Sequence, residues 1–273
     1  MKKILSSARP LLCFLGVALC ASNAVSGTID LTGWSEEGPG GGVWTVNGGG
    51  SAVFQSVNSS TPTFFISDDP FINNTFSGSL TVGSGDNDFI GFVFGYTAPF
   101  SANADATTDF EYLLFDWKQG NQASATEGFH LSKVTGDFAD NSISHGDTSV
   151  TNPFWSHVDN VDGNSSFTVL DSDLGAGRGW ADNTTYDFEL TYQENNVNIV
   201  IDGGAFSNET IFNVGGVYTA GSFGFYNFSQ AAVTYDGFTE DEAPPSVPEP
   251  GSLVLLGLGL AGLGFTRRRA KNG

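Results

Sequence analysis

Tyr186-Asp187-Phe188-Glu189-Leu190-Thr191-Tyr192 runs into Glu194-Asn195-Asn196 and then into the apolar-rich residues 197–202. In the first segment every second residue is apolar, which is the period of a β-strand with one buried face. The Glu-Asn-Asn step supplies turn chemistry and makes the pair a hairpin. Short segments rich in Phe, Tyr, Val and Ile recur on both sides, separated by Gly, Asn, Asp and Ser clusters. They place further strands near residues 43–46, 52–57, 63–66, 75–82, 89–96, 110–118 and 129–134. After these come strands near 166–170, 210–214, 222–228 and 232–238. Helical periodicity is scarce. The expected class is all-β: an antiparallel β-sandwich whose two sheets bury their facing sides. Helix is expected only as a signal helix at the N-terminus and a short apolar helix at the C-terminus.

The chain has 273 residues with 30 acidic and 10 basic side chains, a formal net charge of −20. The basic residues sit mostly at the ends. Lys2, Lys3 and Arg9 open the chain, and Arg267, Arg268, Arg269 and Lys271 close it. Only Lys118, Lys133 and Arg178 remain for the body, whereas every acid but Glu249 lies between Asp30 and Glu242. Such a body repels phosphate backbones, which excludes nucleic acid as a partner, and it attracts cations. The only cysteines, Cys13 and Cys20, fall in the N-terminal apolar segment. The body therefore has no disulfide framework, Cys metal site or Cys nucleophile.

Residues 1–24 combine a basic start, a short apolar run and a small-residue step at Ser22-Asn23-Ala24. This is the pattern of a secretory signal peptide. Anchoring through Cys20 as a lipoprotein fits less well, because Leu19 is not small. At the other end, acidic and proline-rich residues 241–246 form a linker before Val247-Pro248-Glu249-Pro250. An apolar, glycine-rich run over 253–265 follows and stops at Arg267-Arg268-Arg269. The run is marginal for a hydrocarbon core about 30 Å thick, and the arginines hold its end on the cytoplasmic side. These three ordered parts over residues 247–273 resemble the PEP-CTERM sorting tail of Gram-negative bacteria. The resemblance implies processing by an exosortase-type membrane enzyme, transient contact with the inner membrane, and delivery to the cell surface or extracellular matrix.

A second resemblance spans residues 30–238 of the body, whose sandwich is expected over residues 25–240. Asp86-Asn87-Asp88-Phe89-Ile90-Gly91-Phe92-Val93-Phe94-Gly95-Tyr96 and Tyr112-Leu113-Leu114-Phe115-Asp116-Trp117-Lys118-Gln119 look like the C-terminal domain of thrombospondins. Gly221-Ser222-Phe223-Gly224-Phe225-Tyr226-Asn227-Phe228 fits its last core strands, and Trp44-Thr45-Val46-Asn47 matches more loosely. The resemblance implies a concanavalin-like (L-type lectin) jelly-roll sandwich and calcium binding.

Asp86, Asn87 and Asp88 cluster in a turn before a buried strand, and Asp116 ends the neighbouring one. Hard oxygen donors in a turn suit Ca²⁺, which takes six to eight of them. These four are the expected calcium ligands, with Asp68 and Asp69 as a second candidate and an EF-hand-like start at Asp171 and Asp173 as a third. Asx residues that merely make turns are the plain alternative. A retaining glycosidase needs two carboxylates about 5 Å apart across one face. No Glu-x-Asp-x-x-Glu run announces such a pair. Glu111 and Asp116 fall on opposite strand faces, and Asp187 and Glu189 share a solvent face. His130, His145 and His157 lack the spacing of a zinc site or a catalytic triad. Phe154, Trp155, Trp180 and Tyr218 fall in or near expected loops, where rings could stack on sugars, although aromatics are more often core. The stretch 120–164 is long and polar, a candidate binding rim. The expected function is an exported, non-enzymatic surface or matrix protein with a calcium-stabilised lectin-like sandwich. Its expected partner is an extracellular polysaccharide or a matrix protein. A secreted polysaccharide hydrolase and a structural matrix component without a ligand are the alternatives.

Overall fold

The computed structural model describes residues 27–38, 42–83, 85–97, 110–136, 152–157 and 166–242. In its first half, strands β1 (Gly27–Thr28), β2 (Ser35–Glu37), β3 (Trp44–Asn47), β4 (Ala52–Gln55) and β5 (Thr63–Phe71) are followed by β6 (Asn74–Val82), β7 (Phe89–Tyr96), β8 (Phe110–Lys118) and β9 (Gly128–Gly136). One turn of helix, α1 (Pro153–Ser156), precedes β10 (Ser166–Leu174), β11 (Thr185–Gln193) and β12 (Asn196–Gly203). The last strands are β13 (Phe206–Gly215), β14 (Gly221–Phe228) and β15 (Val233–Glu242).

They form two sheets. One runs β13-β12-β11-β6-β15-β4-β3, with β1 added on β15; the other runs β10-β9-β8-β7-β14-β5-β2. All described pairings are antiparallel, and β11 meets β12 across the two-residue loop Glu194–Asn195, with Gln193 opposite Asn196. The architecture is the expected all-β antiparallel sandwich.

Two burial patterns explain how it is held. In β11, Tyr186, Phe188, Leu190 and Tyr192 are buried while Asp187 and Glu189 are exposed. That strand has one wet face. In β7 every residue is buried. Its Ile90, Phe92 and Phe94 join the core between the sheets. Its Phe89, Val93 and Tyr96 join a second cluster with Tyr112, Leu114, Phe154, Trp155, Tyr226 and Phe228. The seven-stranded sheet is thus covered on both faces, and α1 lies over its outer one. A strand buried on both faces reads as a continuous apolar run instead of an alternation, as Phe89 to Tyr96 do.

Several expectations change. β1 and β2 were not foreseen, and β5 and β10 run further than expected. Asp68 and Asp69 therefore lie in β5, and Asp171 and Asp173 lie in β10 beside a bulge between Val169 and Asp171. An EF-hand loop is excluded there, because the segment is laddered strand. β15 continues through Glu242, two residues past the expected domain end. The signal segment 1–24, residues 243–246 of the linker, the tail 247–273 and His145 lie outside the described residues. No helix among the described residues is long and apolar enough to cross a membrane.

Candidate functional site

Charge is rare inside this molecule, and where it occurs it is gathered. On β8, Asp116 and Lys118 are two residues apart, so both project from the outer face of the seven-stranded sheet. Both are completely buried. Register brings Phe89 opposite Lys118 and Gly91 opposite Asp116 on β7, and His130 opposite Asp116 on β9.

Lys118 is answered from the turn before β7. Its ammonium donates to the Asp88 carboxylate at 2.8 Å, to the Asn87 carbonyl at 2.9 Å and to Gln122 Oε1 at 3.4 Å. It also lies 5.0 Å from the Phe89 ring centre and 4.8 Å from that of Trp155, close enough for cation–π attraction. Burial pulls its pKa down, against the pull of Asp88, Asp86 and Asp116.

Asp116 is answered by histidine. Nε2 of His157 lies 2.8 Å from Oδ2 and 3.1 Å from Oδ1. Nδ1 of His130 stands 3.6 Å from Oδ1, beyond hydrogen-bond range. The two imidazoles are parallel, with centroids 3.5 Å and planes 6° apart. Burial raises the Asp116 carboxyl, yet the charge of His157 and the nearby His130 more than offset it and hold its pKa below the ordinary value. His130 is shifted toward its neutral form, by burial first and then by His157.

The backbone explains how His157 arrives. Asn152 caps α1 by accepting the Phe154 N–H, and Phe154 and Trp155 sink into the second cluster. His157 ends the turn in the left-handed region at φ 52°. That conformation is uncommon for a non-glycine residue but is visited more readily by His than by most. Several polar atoms on or over this face have no hydrogen-bond partner among the described residues: His130 Nδ1, Ser132 Oγ, Tyr226 OH and Trp155 Nε1.

The four expected calcium ligands do not form one oxygen shell. Asp88 is taken by the Lys118 ammonium and Asp116 by the histidines, while Asn87 contributes its carbonyl to Lys118. Asp86 accepts from Asn58 Nδ2 and from the Asn87 N–H. Asp68 is exposed and accepts from Ser35 Oγ at 3.4 Å. Asp69 is exposed too, and its charge helps to push the Glu240 carboxyl upward. Among the described residues, the one group of three or more ligating side chains within 4.8 Å of one another is Asp116, His130 and His157. Their sequence spacing gave no hint of it. The available hint was different: two charges two residues apart at the end of the otherwise apolar run Tyr112 to Trp117 require partners wherever that strand is buried. The aromatic platform for sugars also fails, since Phe154, Trp155 and Trp180 are core residues and Tyr218 is half-buried.

On the opposite side of the molecule the outer face of the eight-stranded sheet is polar and open. A shallow groove of about 420 Å³ crosses it, lined by Ser77, Ser79, Asp187, Asp236 and Thr239.

Residues 41–240 match the sequence profile of the thrombospondin C-terminal region, and residues 246–269 match that of the PEP-CTERM protein-sorting motif. No curated protein matches the chain. Among solved structures it is similar to the carbohydrate binding module CBM66 from Bacillus subtilis, at 14% identity and a TM-score of 0.46, over 77% of this chain and 96% of that one. It is also similar to the exoplasmic/lumenal domain of VIP36 in a Ca²⁺/Man-bound form, at 11% identity and a TM-score of 0.46, over 80% and 85%. A third is the kappa-carrageenase from Pseudoalteromonas carrageenovora, at 7% identity and a TM-score of 0.44, over 84% and 99%. These are likenesses of fold and carry nothing about ligand or activity.

Proposed function

The chain belongs to the thrombospondin C-terminal region family, and from that membership and its sorting tail we propose a non-enzymatic surface or matrix protein that binds glycan through its sandwich. The observation that carries the reading is the order of parts. A folded sandwich ending at β15 is followed by a PEP-CTERM tail, the mark of an exported protein with a membrane-associated sorting segment. An exosortase-type enzyme would act near Val247-Pro248-Glu249-Pro250, with Arg267, Arg268 and Arg269 holding the tail until then.

The groove on the eight-stranded sheet is the proposed glycan face. Hydroxyls of Ser77, Ser79 and Thr239 and carboxylates of Asp187 and Asp236 are groups that hydrogen-bond sugar hydroxyls, and the sheet holds them rigidly. Against the hydrolase alternative, both buried carboxylates among the described residues are already held, Asp88 by Lys118 and Asp116 by His157. Calcium enters the reading as a counter-ion for the acidic surface.

The test has two arms. The full chain and its Glu249→Ala variant are expressed in a host carrying an exosortase-type enzyme, and membrane, surface and medium fractions are compared. The reading expects the wild type to be shortened and to leave the inner membrane, and the variant to stay. In the second arm, released protein is assayed on a glycan array with and without chelator. Binding that falls at least about tenfold in Asp187→Asn/Asp236→Asn supports the groove. Unchanged fractionation removes the sorting role, and a blank array removes the glycan role.

A further inference from the structure

We infer that Asp116, His130 and His157 form a buried binding site for one divalent transition-metal ion, with zinc as the occupant their chemistry favours. Two imidazoles are borderline ligands, and with one carboxylate they make a set that suits zinc and its neighbours better than calcium, which prefers all-oxygen shells.

The spacing agrees. Around a tetrahedral zinc with bonds of about 2.0–2.1 Å, neighbouring ligand atoms lie about 3.4 Å apart. The ring nitrogens facing Asp116 stand 2.8 to 3.6 Å from its oxygens, and one ligand atom from each of the three residues lies within 4.8 Å of the other two. Both rings turn a nitrogen toward one edge of the same carboxylate. An ion held by both nitrogens requires the two rings to tilt toward each other out of their parallel stack.

A second observation points the same way. His130 Nδ1 is buried, faces Asp116 at 3.6 Å and has no hydrogen-bond partner among the described residues. Ser132 Oγ, two residues along on the same face of β9, is equally unpartnered. A buried polar atom without a partner needs an explanation, and a bound ion is one that serves for a nitrogen aimed at a carboxylate. The charges agree as well. Asp88 is balanced by Lys118, so Asp116 is the remaining buried carboxylate among the described residues, and a dication with two neutral imidazoles satisfies it. Three protein ligands leave a fourth position for water, as in open zinc sites. The site stands independently of any glycan bound on the other sheet.

The test uses the purified full chain, stripped with chelator and titrated with Zn²⁺ and separately with Co²⁺. The expected result is one tightly bound ion per chain, a visible tetrahedral Co²⁺ spectrum and a rise in Tm that Ca²⁺ at equal concentration does not reproduce. His157→Gln, whose side chain leaves β8 and β9 untouched, should weaken binding at least about a hundredfold, since loss of even an outer-shell partner costs 10–100-fold. Should that variant fail to fold, His130→Asn reads the same loss. Absence of a Co²⁺ spectrum and of stoichiometric Zn²⁺ uptake by the wild type overturns the site and leaves Asp116 balanced by an imidazolium. Equal uptake by wild type and either folded variant overturns it also, by assigning the ions to surface carboxylates.

Discussion

Lys118 shows what a single residue carries in this molecule. Its three donors meet Asp88, Asn87 and Gln122, and nothing of it reaches solvent. Lys118→Met keeps the apolar stem but leaves the Asp88 carboxylate buried and unpaired. Breaking one half of a buried pair costs about 3–5 kcal/mol, whereas replacing both halves with apolar groups costs far less. Urea unfolding should therefore show a large loss for Lys118→Met and a markedly smaller one for Lys118→Met/Asp88→Leu. Equal losses would mean that the pair is not what holds this corner. Glu240 is the opposite case. Partial burial, then Asp69 and Asp241, push its carboxyl above the ordinary value, while Asn74 Nδ2 donates to it. The folded chain thus holds this proton more tightly than the unfolded chain. Stability from it is fully present below the unfolded value and is lost as pH rises through the folded one. Glu240→Gln keeps an acceptor for Asn74 and removes the charge. Because the group is only partly buried and solvent screens its charge, the gain at pH 7 should be only a few tenths of a kcal/mol. Thermal melts should show it vanish in mild acid; a gain that persists there would point to another cause. Neither residue's role could be read from the sequence, since partners 30 and 166 positions away decide them.

Elements were legible to the extent that their burial was periodic. β11 announced itself because one face is wet, and Asp187 and Glu189 mark that face. β7 and β8 were placed correctly, although the cover on both faces that their continuous apolar runs imply was not part of the expectation of two sheets burying their facing sides. What covers them was not legible. α1 is a four-residue turn, Pro153–Ser156, too short to show helical periodicity, and it lies in a stretch whose polar composition suggests a rim. Its Phe154 and Trp155 therefore looked like loop aromatics available to a sugar. In the fold they are packed against Phe89, Phe167, Tyr226 and Phe228. Trp155→Ala should cost about 3–5 kcal/mol, the usual range for truncating a buried aromatic. It should also increase binding of an apolar dye, because the outer face of the seven-stranded sheet loses cover. A variant as stable as the wild type would show that α1 is a dispensable flap. The candidate metal group was illegible for the same reason: His157 reaches Asp116 only because α1 docks and His157, the residue that ends it, takes the left-handed conformation.

At the scale of the whole molecule, charge sets the behaviour. The three basic residues of the body are all committed: Lys118 to Asp88, Lys133 to Glu111 at 2.8 Å, and Arg178 to Asp173 and to Glu209 at 3.0 Å. The remaining acids have no basic side chain of the body left to pair with, so compaction brings like charges together without compensation. Added salt shortens the range of that repulsion, from about 30 Å at 0.01 M to about 3 Å at 1 M. The folded state, being denser in charge than the unfolded chain, gains more from the screening. Raising NaCl from 0.01 M to 0.5 M should therefore raise Tm, by roughly 2–4 °C for each kcal/mol relieved in a chain of this size. Calcium chloride at the same ionic strength separates screening from binding. An equal rise with both salts means that calcium acts only as a counter-ion, which is how the acidic surface alone would behave. A larger rise with calcium, saturating at low concentration and abolished by Asp69→Asn, would restore a specific calcium site on this surface. A fall in Tm with NaCl would contradict the charge account itself, because it would require the committed pairs to matter more than the acids they leave uncompensated.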